Sequence, residues 1–169
     1  ASLIEPLDPS IASSLKSIYY PPVAEIFLGF RRDQVGRNLD GFGFLVPEKE
    51  QRKILGTIWS STIFPGRAPN DCVALTSFVG GSRQPELCSK DDSELISMVC
   101  HELEEIMQVR GEPVYSRISK WKRAIPQYHV GHISIVNLIE NFEAGHPGLF
   151  LTGNYRGGIS VGDCVMNAR

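Results

Sequence analysis

The sequence predicts an α+β fold, built mainly from an antiparallel sheet with packed helices and followed by a C-terminal strand-turn-helix. β-rich stretches come first along the chain and helical patterns come later, without the regular alternation of a doubly wound α/β protein. Short connections rich in turn residues separate the early stretches. The chain has 169 residues, 42% of them hydrophobic, which is enough for an ordinary domain with its own core.

Four stretches rich in β-forming residues make up the predicted sheet. They cover residues 23–31, 41–47, 54–64 and 72–80. The connections between them have lengths that join neighbouring antiparallel strands, which predicts a meander. Both faces of the third stretch are apolar, so we expect the sheet to be covered on both sides, with a ligand as one candidate cover.

A long amphipathic helix is predicted after the fourth strand. Ser89 and Asp92 read as its capping box, and Gly111 as its end. Its apolar stripe consists of Leu95, Val99, Leu103 and Ile106. Three carboxylates fall on its wet side and are interpreted as a hydrated helix face rather than a metal site: Glu102, Glu104 and Glu105. A strand near 114–118 and a helix near 134–142 follow.

Charge and cysteine usage exclude several classes of protein. The net charge is -2, so the chain lacks the basic surface that nucleic-acid binding needs. The four cysteines show neither a CxxC pair nor zinc-ligand spacing, which predicts reduced, mostly buried thiols and a reducing compartment: Cys72, Cys88, Cys100 and Cys164. No run approaches the roughly 18 apolar residues of a membrane span, so we expect any membrane contact to be peripheral.

The segment 153–164 is the most distinctive part of the chain. A short apolar run, 149–152, is predicted to be a strand, and glycines at 153, 157, 158 and 162 then lead into a helix. Glycine lets a backbone approach another group closely, and the free N–H groups of a first helical turn favour an acceptor or a negative charge. Two interpretations stay open: a cofactor-binding bend, or glycines that only make a sharp turn.

Two other motifs suggest chemistry that the context does not support. Residues 158–162 spell GxSxG, but no strand runs directly into Ser160 and no histidine follows it, so a serine hydrolase is not favoured. His129 and His132 are three residues apart, yet no carboxylate or thiol with suitable spacing accompanies them. We interpret these histidines as residues that orient a loop.

Both ends suggest a piece of a longer protein. The first residue is Ala1 rather than Met, and the closing helix has only a few residues before Arg169. Isolated helices need about 12–15 residues to be stable, so this one is expected to dock or to continue.

The order of several segments resembles the C-terminal part of the protoporphyrinogen oxidases, which are flavoproteins of the amine oxidase superfamily. The resemblance covers nearly the whole chain. It is carried by GFGFLVP at 41–47, LGTIWSS at 55–61 with FPGRAP at 64–69, FVGGSR at 78–83, WKRAIPQY at 121–128 and GNYRGG at 153–158.

This resemblance implies a six-electron oxidation of protoporphyrinogen IX to protoporphyrin IX in haem or chlorophyll synthesis. The implied cofactor is FAD, reoxidised by dioxygen or another electron acceptor. Family members carry a GxGxxG fingerprint for FAD near their N-terminus, which this sequence lacks, so the resemblance implies a missing N-terminal FAD domain. Residues 1–147 would then be a portion of the substrate-binding domain and 148–169 a truncated FAD-binding segment. The expected location is the cytoplasm, peripherally at the inner membrane of a bacterium, or an organelle in a eukaryote.

The resemblance also implies site residues, none of them a catalytic acid or base. The cofactor-binding positions are Ile133, Gly153, Asn154, Gly158, Ile159, Ser160 and Val161. The substrate-binding positions are Leu45, Ile58 and Phe78, one from each of three successive strands. Ser160 would lie beside the flavin as a small residue and not as a nucleophile. The alternative is a non-catalytic tetrapyrrole-binding or interaction module that never had a flavin.

Overall fold

The computed structural model describes residues 1–168, and the chain forms two compact units. One unit is continuous and runs from Pro22 to Ala124. The other combines residues 1–21 with residues 125–168. These units do not divide the chain between residues 147 and 148, so the functional boundary expected there stays a prediction.

The continuous unit is built on a five-stranded sheet whose neighbours are all antiparallel. Its strands are β1 (Val23–Arg31), β2 (Gly43–Leu45), β3 (Gly56–Ile58), β4 (Cys72–Gly80) and β5 (Tyr115–Trp121). The spatial order is β2-β3-β4-β1-β5. The predicted α+β class is confirmed, but only β2, β3 and β4 form a meander. The two longest strands, β1 and β4, pair along their whole lengths. The other edge of β1 pairs with β5, so β1 lies between β4 and β5.

The third predicted strand is much shorter than expected. It ends at Ile58, and the chain then forms the short helix α2 (Ser60–Ile63). The Ser60 hydroxyl shares a hydrogen bond of 2.6 Å with the Thr76 hydroxyl, and the Ser61 hydroxyl accepts from the Ala74 N–H at 3.0 Å. These bonds to β4 hold the turn that apolar patterning alone did not reveal.

Helix α3 (Asp92–Met107) covers one face of the sheet. The predicted stripe is confirmed, since Leu95, Val99 and Leu103 are fully buried, while Ile106 is only partly buried. They pack against alternate residues of the two central strands: Ala24, Ile26, Leu28, Phe30, Val73, Leu75 and Val79. Each fully buried side chain of this size contributes roughly 1.5–3 kcal/mol of transfer free energy.

The ends of α3 differ from the prediction. Asp91 is the N-cap and forms the capping box with Glu94, because Ser89 belongs to the preceding 3-10 turn, Pro85–Ser89. At the other end the helix stops at Met107, before the predicted end at Gly111. The next residue, Gln108, adopts a left-handed conformation with φ 58° and caps the helix. Gly111 is therefore not the residue that ends the helix.

Glu102 is not on the wet side of α3. It is 6% exposed, and its carboxylate accepts hydrogen bonds from the Lys53 N–H at 3.1 Å and from Arg52 at 3.3 Å. The connection between β2 and β3 covers this part of the helix, which helical periodicity cannot show. Glu104 and Glu105 are exposed, as predicted.

The second unit contains α1 (Pro9–Ser17), α4 (His132–Gly145) and α5 (Val161–Asn167). Its core cluster joins Ile4, Ile11 and Phe142, with Leu149 and Leu151 packed against them. The predicted strand at 149–152 does not form, because no other segment of residues 1–168 pairs with it. No helix within the described residues is long and apolar enough to span a membrane.

Candidate functional site

The three predicted substrate-binding positions share one face of the sheet, opposite α3. The register aligns Leu45 with Gly56, Gly56 with Phe78, and Phe78 with Glu25. Ile58 is two residues from Gly56 and therefore points to the same side. The structure thus brings together side chains from three strands that are far apart in the sequence.

Exposure varies along this sheet face. Leu45 is 87% exposed, whereas Ile58 and Phe78 are partly buried. Gly56 lies between Leu45 and Phe78 and is buried, because the Leu45 side chain reaches over it; a Cβ on Gly56 would lie 3.1 Å from Leu45 Cδ2. A Cβ on Gly56 would lie 2.5 Å from the Phe44 carbonyl oxygen, so the close strand pairing itself requires glycine here. Leu45, Ile58 and Phe78 together form an apolar strip, which α2 borders where it packs on β4.

A groove of about 300 Å³ continues the same face onto β1 and β5. Its lining residues are Glu25, Phe27, Arg67, Tyr115, Arg117 and Ser119. Sequence reasoning missed this groove, because its residues come from two strands and a loop with no common motif. The alternate residues Tyr115, Arg117 and Ser119 of β5 were the sequence signal that could have indicated a shared sheet face.

In the second unit, Ser160 is the N-cap of α5. Its hydroxyl accepts from the Asp163 N–H at 3.0 Å and donates to the Asp163 carboxylate at 2.7 Å. The Ser160 hydroxyl and the Ser160 N–H both donate to the Asp163 carboxylate, which holds the pKa of this carboxyl below its usual value. The GxSxG serine therefore has a capping role, and the Ser-x-x-Asp spacing was a sequence signal for it.

The glycines around this bend make room for the chain's own side chains. A Cβ on Gly158, where φ is 137°, would collide with the Asp163 carboxylate. A Cβ on Gly157 would lie 2.5 Å from the Asn167 amide. A sharp turn into α5 thus accounts for both glycines, and neither is by itself evidence for a cofactor.

Hydrogen bonds hold residues 154–155, which lie between Gly153 and Gly157, on both sides. The Tyr20 hydroxyl donates to the Asn154 side chain at 3.2 Å, and the Tyr128 hydroxyl donates to the Asn154 carbonyl at 2.7 Å. His132 bonds to the Tyr155 carbonyl at 2.7 Å and stacks on Tyr128 with ring centroids 4.3 Å apart. The interpretation of His132 as a residue that orients a loop is confirmed.

An ion pair fixes the same segment to α4. Arg156 binds the Glu143 carboxylate at 2.8 Å and donates to the Leu151 carbonyl at 3.1 Å. The same carboxylate accepts from the Leu151 N–H at 2.6 Å. Within residues 1–168, no group of three or more His, Cys, Asp or Glu side chains is placed to hold a metal ion.

The predicted flavin-contacting side chains are apolar and exposed. Ile133 is 72% exposed, Ile159 49% and Val161 83%. Ile133 follows His132, whose bond to Tyr155 places the start of α4 beside the glycine-rich segment. These three side chains therefore remain accessible to a ligand. The assignment of individual contact residues stays a prediction.

Comparison with known proteins identifies the family. Residues 1–169 match the model for flavin containing amine oxidoreductases. The chain belongs to this family. Its relatives include the mitochondrial protoporphyrinogen oxidase of Nicotiana tabacum, 40% identical over 163 residues, which are 95% of this chain and 32% of the relative. The coproporphyrinogen III oxidase of Bacillus subtilis is 30% identical over 90% of this chain and 33% of its own length.

A solved structure supports the same assignment. A protein from Exiguobacterium sp. 255-15, provisionally assigned as a protoporphyrinogen oxidase, matches with a TM-score of 0.74 and 27% identity over 92% of this chain and 34% of its own. The resemblance to protoporphyrinogen oxidases is confirmed. The chain spans about a third of the length of the curated relatives that it matches.

Proposed function

We propose that this chain is part of an FAD-dependent oxidase that converts protoporphyrinogen IX to protoporphyrin IX. The observation that carries the proposal is the shared, solvent-accessible sheet face of Leu45, Ile58 and Phe78. Membership of a flavin family supports the redox chemistry. The name of the tobacco relative supports a porphyrinogen as the substrate.

The sheet face suits a flat, apolar macrocycle. The aromatic ring of Phe78 offers a packing surface, and Leu45 and Ile58 add aliphatic contacts from the two neighbouring strands. Each side chain that becomes fully buried under a ligand contributes roughly 1.5–3 kcal/mol. These residues bind and orient the substrate, and none of them exchanges protons.

The second unit would hold the flavin. Its exposed Ile133, Ile159 and Val161 offer apolar contacts, and the bonds at Asn154 and Arg156 keep the bend rigid. When bound, FAD supplies the acceptor for the hydrogens of the porphyrinogen, and dioxygen or another acceptor reoxidises it. The chain's own contribution is therefore orientation and exclusion of water.

The experiment is to express the complete polypeptide that contains this chain and to record its flavin absorption spectrum. Porphyrin fluorescence is then followed after addition of protoporphyrinogen IX or coproporphyrinogen III, with an enzyme-free sample to measure autoxidation. We expect bound FAD and faster porphyrin formation from protoporphyrinogen IX. Flavin-free protein that binds porphyrin would support the non-catalytic module instead, and a preference for coproporphyrinogen would overturn the proposed substrate.

A further inference from the structure

The groove beside the apolar strip carries an excess of positive charge. Arg67 and Arg117 line it together with one carboxylate, Glu25. Within the described residues, neither arginine lies within 4.0 Å of a carboxylate oxygen, and Arg67 instead lies 5.4 Å from the centroid of the Phe64 ring. The groove therefore presents two guanidinium groups that have no anionic partner of their own.

One wall of the same groove is aromatic. Phe27 and Tyr115 meet edge to face with ring centroids 6.0 Å apart. The strand register places Arg117 directly opposite Phe27, and Ser119 directly opposite Glu25. An apolar wall beside unpaired guanidinium groups and a hydroxyl suits a ligand that has a carboxylate attached to an apolar ring or chain.

The register also relates this groove to the apolar strip. Glu25 pairs with Phe78 on one side and with Ser119 on the other, so the groove begins one strand away from Phe78. Phe78 and Arg117 are separated by two strand spacings and two residues along the strand, which gives about 12 Å between their Cα atoms. A macrocycle seated on Phe78 with carboxylates on its rim extends over such a distance.

We propose that Arg117 and Arg67 bind a propionate carboxylate of the porphyrinogen, while the apolar strip contacts its ring. This inference rests on the proposed function and adds the group that fixes the orientation of the substrate. The guanidinium groups donate charge-assisted hydrogen bonds to the carboxylate, and the Phe27 and Tyr115 rings pack against the propionate stem. Glu25 lies between the two regions and opposes this binding by like-charge repulsion.

The test uses the complete flavin-loaded enzyme and two substrates, protoporphyrinogen IX and its dimethyl ester. We expect Arg117→Gln to raise KM for the free acid about two- to fivefold, since Arg117 is exposed and exposed ion pairs contribute at most about 1 kcal/mol. The kcat should change little, and KM for the ester should stay the same. Arg117→Lys should recover part of the loss, and Arg67→Gln should raise KM in the same direction.

Two further variants sharpen the test. Arg110→Gln removes an exposed arginine that does not line the groove and should leave both KM values unchanged. Glu25→Gln removes the opposing charge and should lower KM for the free acid but not for the ester. A purely structural role for these residues would not produce opposite signs at Glu25 and Arg117.

Equilibrium binding gives a readout that is independent of turnover. Quenching of protoporphyrin IX fluorescence on titration with enzyme measures Kd, which we expect to rise about two- to fivefold in Arg117→Gln. An active wild-type enzyme whose KM and Kd are unaffected by Arg117→Gln would overturn the inference and leave the proposed function intact. A wild-type enzyme that oxidises no porphyrinogen would overturn the proposed function itself.

Discussion

Glu102 anchors the connection between β2 and β3, and its replacement by glutamine should loosen that connection. The carboxylate is buried on α3 and accepts from the Lys53 N–H at 3.1 Å and from Arg52 at 3.3 Å. Glu102→Gln keeps the size and one oxygen acceptor but removes the charge. The same connection joins the strands that carry Leu45 and Ile58, so its order bears on the proposed substrate face.

The magnitude follows from these two contacts. Hydrogen bonds to charged groups contribute roughly 1.5–3 kcal/mol, against roughly 0.5–1.5 kcal/mol between neutral groups, so the Lys53 bond loses about 1 kcal/mol. The ion pair with Arg52, whose side chain is 33% exposed, adds at most about 1 kcal/mol. Local opening should therefore become easier by about 1–2 kcal/mol, a factor of about 5–30.

Hydrogen–deuterium exchange of the complete protein measures this opening directly. Peptides that cover residues 46–54 should exchange about 5–30-fold faster in Glu102→Gln than in the wild type. Glu105→Gln is the matched control, because Glu105 lies on the same helix but is exposed. Unchanged exchange in Glu102→Gln, or an equal increase in the control, would refute the anchoring role.

Three further predictions concern other parts of the chain. Phe78→Ala should raise KM for protoporphyrinogen at least tenfold and leave the flavin content normal, since the change removes roughly 1.5–3 kcal/mol of contact free energy. Steady-state kinetics measure this KM, and Ile96→Ala, on the opposite side of the sheet, is the control. Gly158→Val should abolish flavin retention, because its side chain collides with Asp163 and displaces the bend; a normal flavin spectrum would contradict this. Burial raises the pKa of the Cys100 thiol from 9.0 to about 11, so less of it is thiolate at pH 8, and its alkylation should be about a hundredfold slower than in urea. Equal rates of native and unfolded alkylation at Cys100 would show that the thiol is not buried.

Local sequence patterns predicted the elements well where one periodicity was unambiguous. The strands Val23–Arg31 and Cys72–Gly80 have the predicted bounds, and the stripe of Leu95, Val99 and Leu103 is buried as expected. Prediction failed where the decisive partner is distant in the chain. Glu102 looked solvated until the connection from β2 to β3 covered it, and the run at 149–152 had the composition of a strand but no strand to pair with.

The candidate site divides in the same way. The positions Leu45, Ile58 and Phe78 came from the resemblance, and only the register showed that they share a face. The groove with Arg67 and Arg117 could not be predicted, because no local rule relates a loop after α2 to an edge strand.

The sequence alone determined the family and the fold class, because both depend on the order of segments along the chain. The tertiary structure decided which side chains meet across the sheet and which carboxylate of α3 is buried. These outcomes depend on contacts between distant residues, and such contacts form only when whole elements pack.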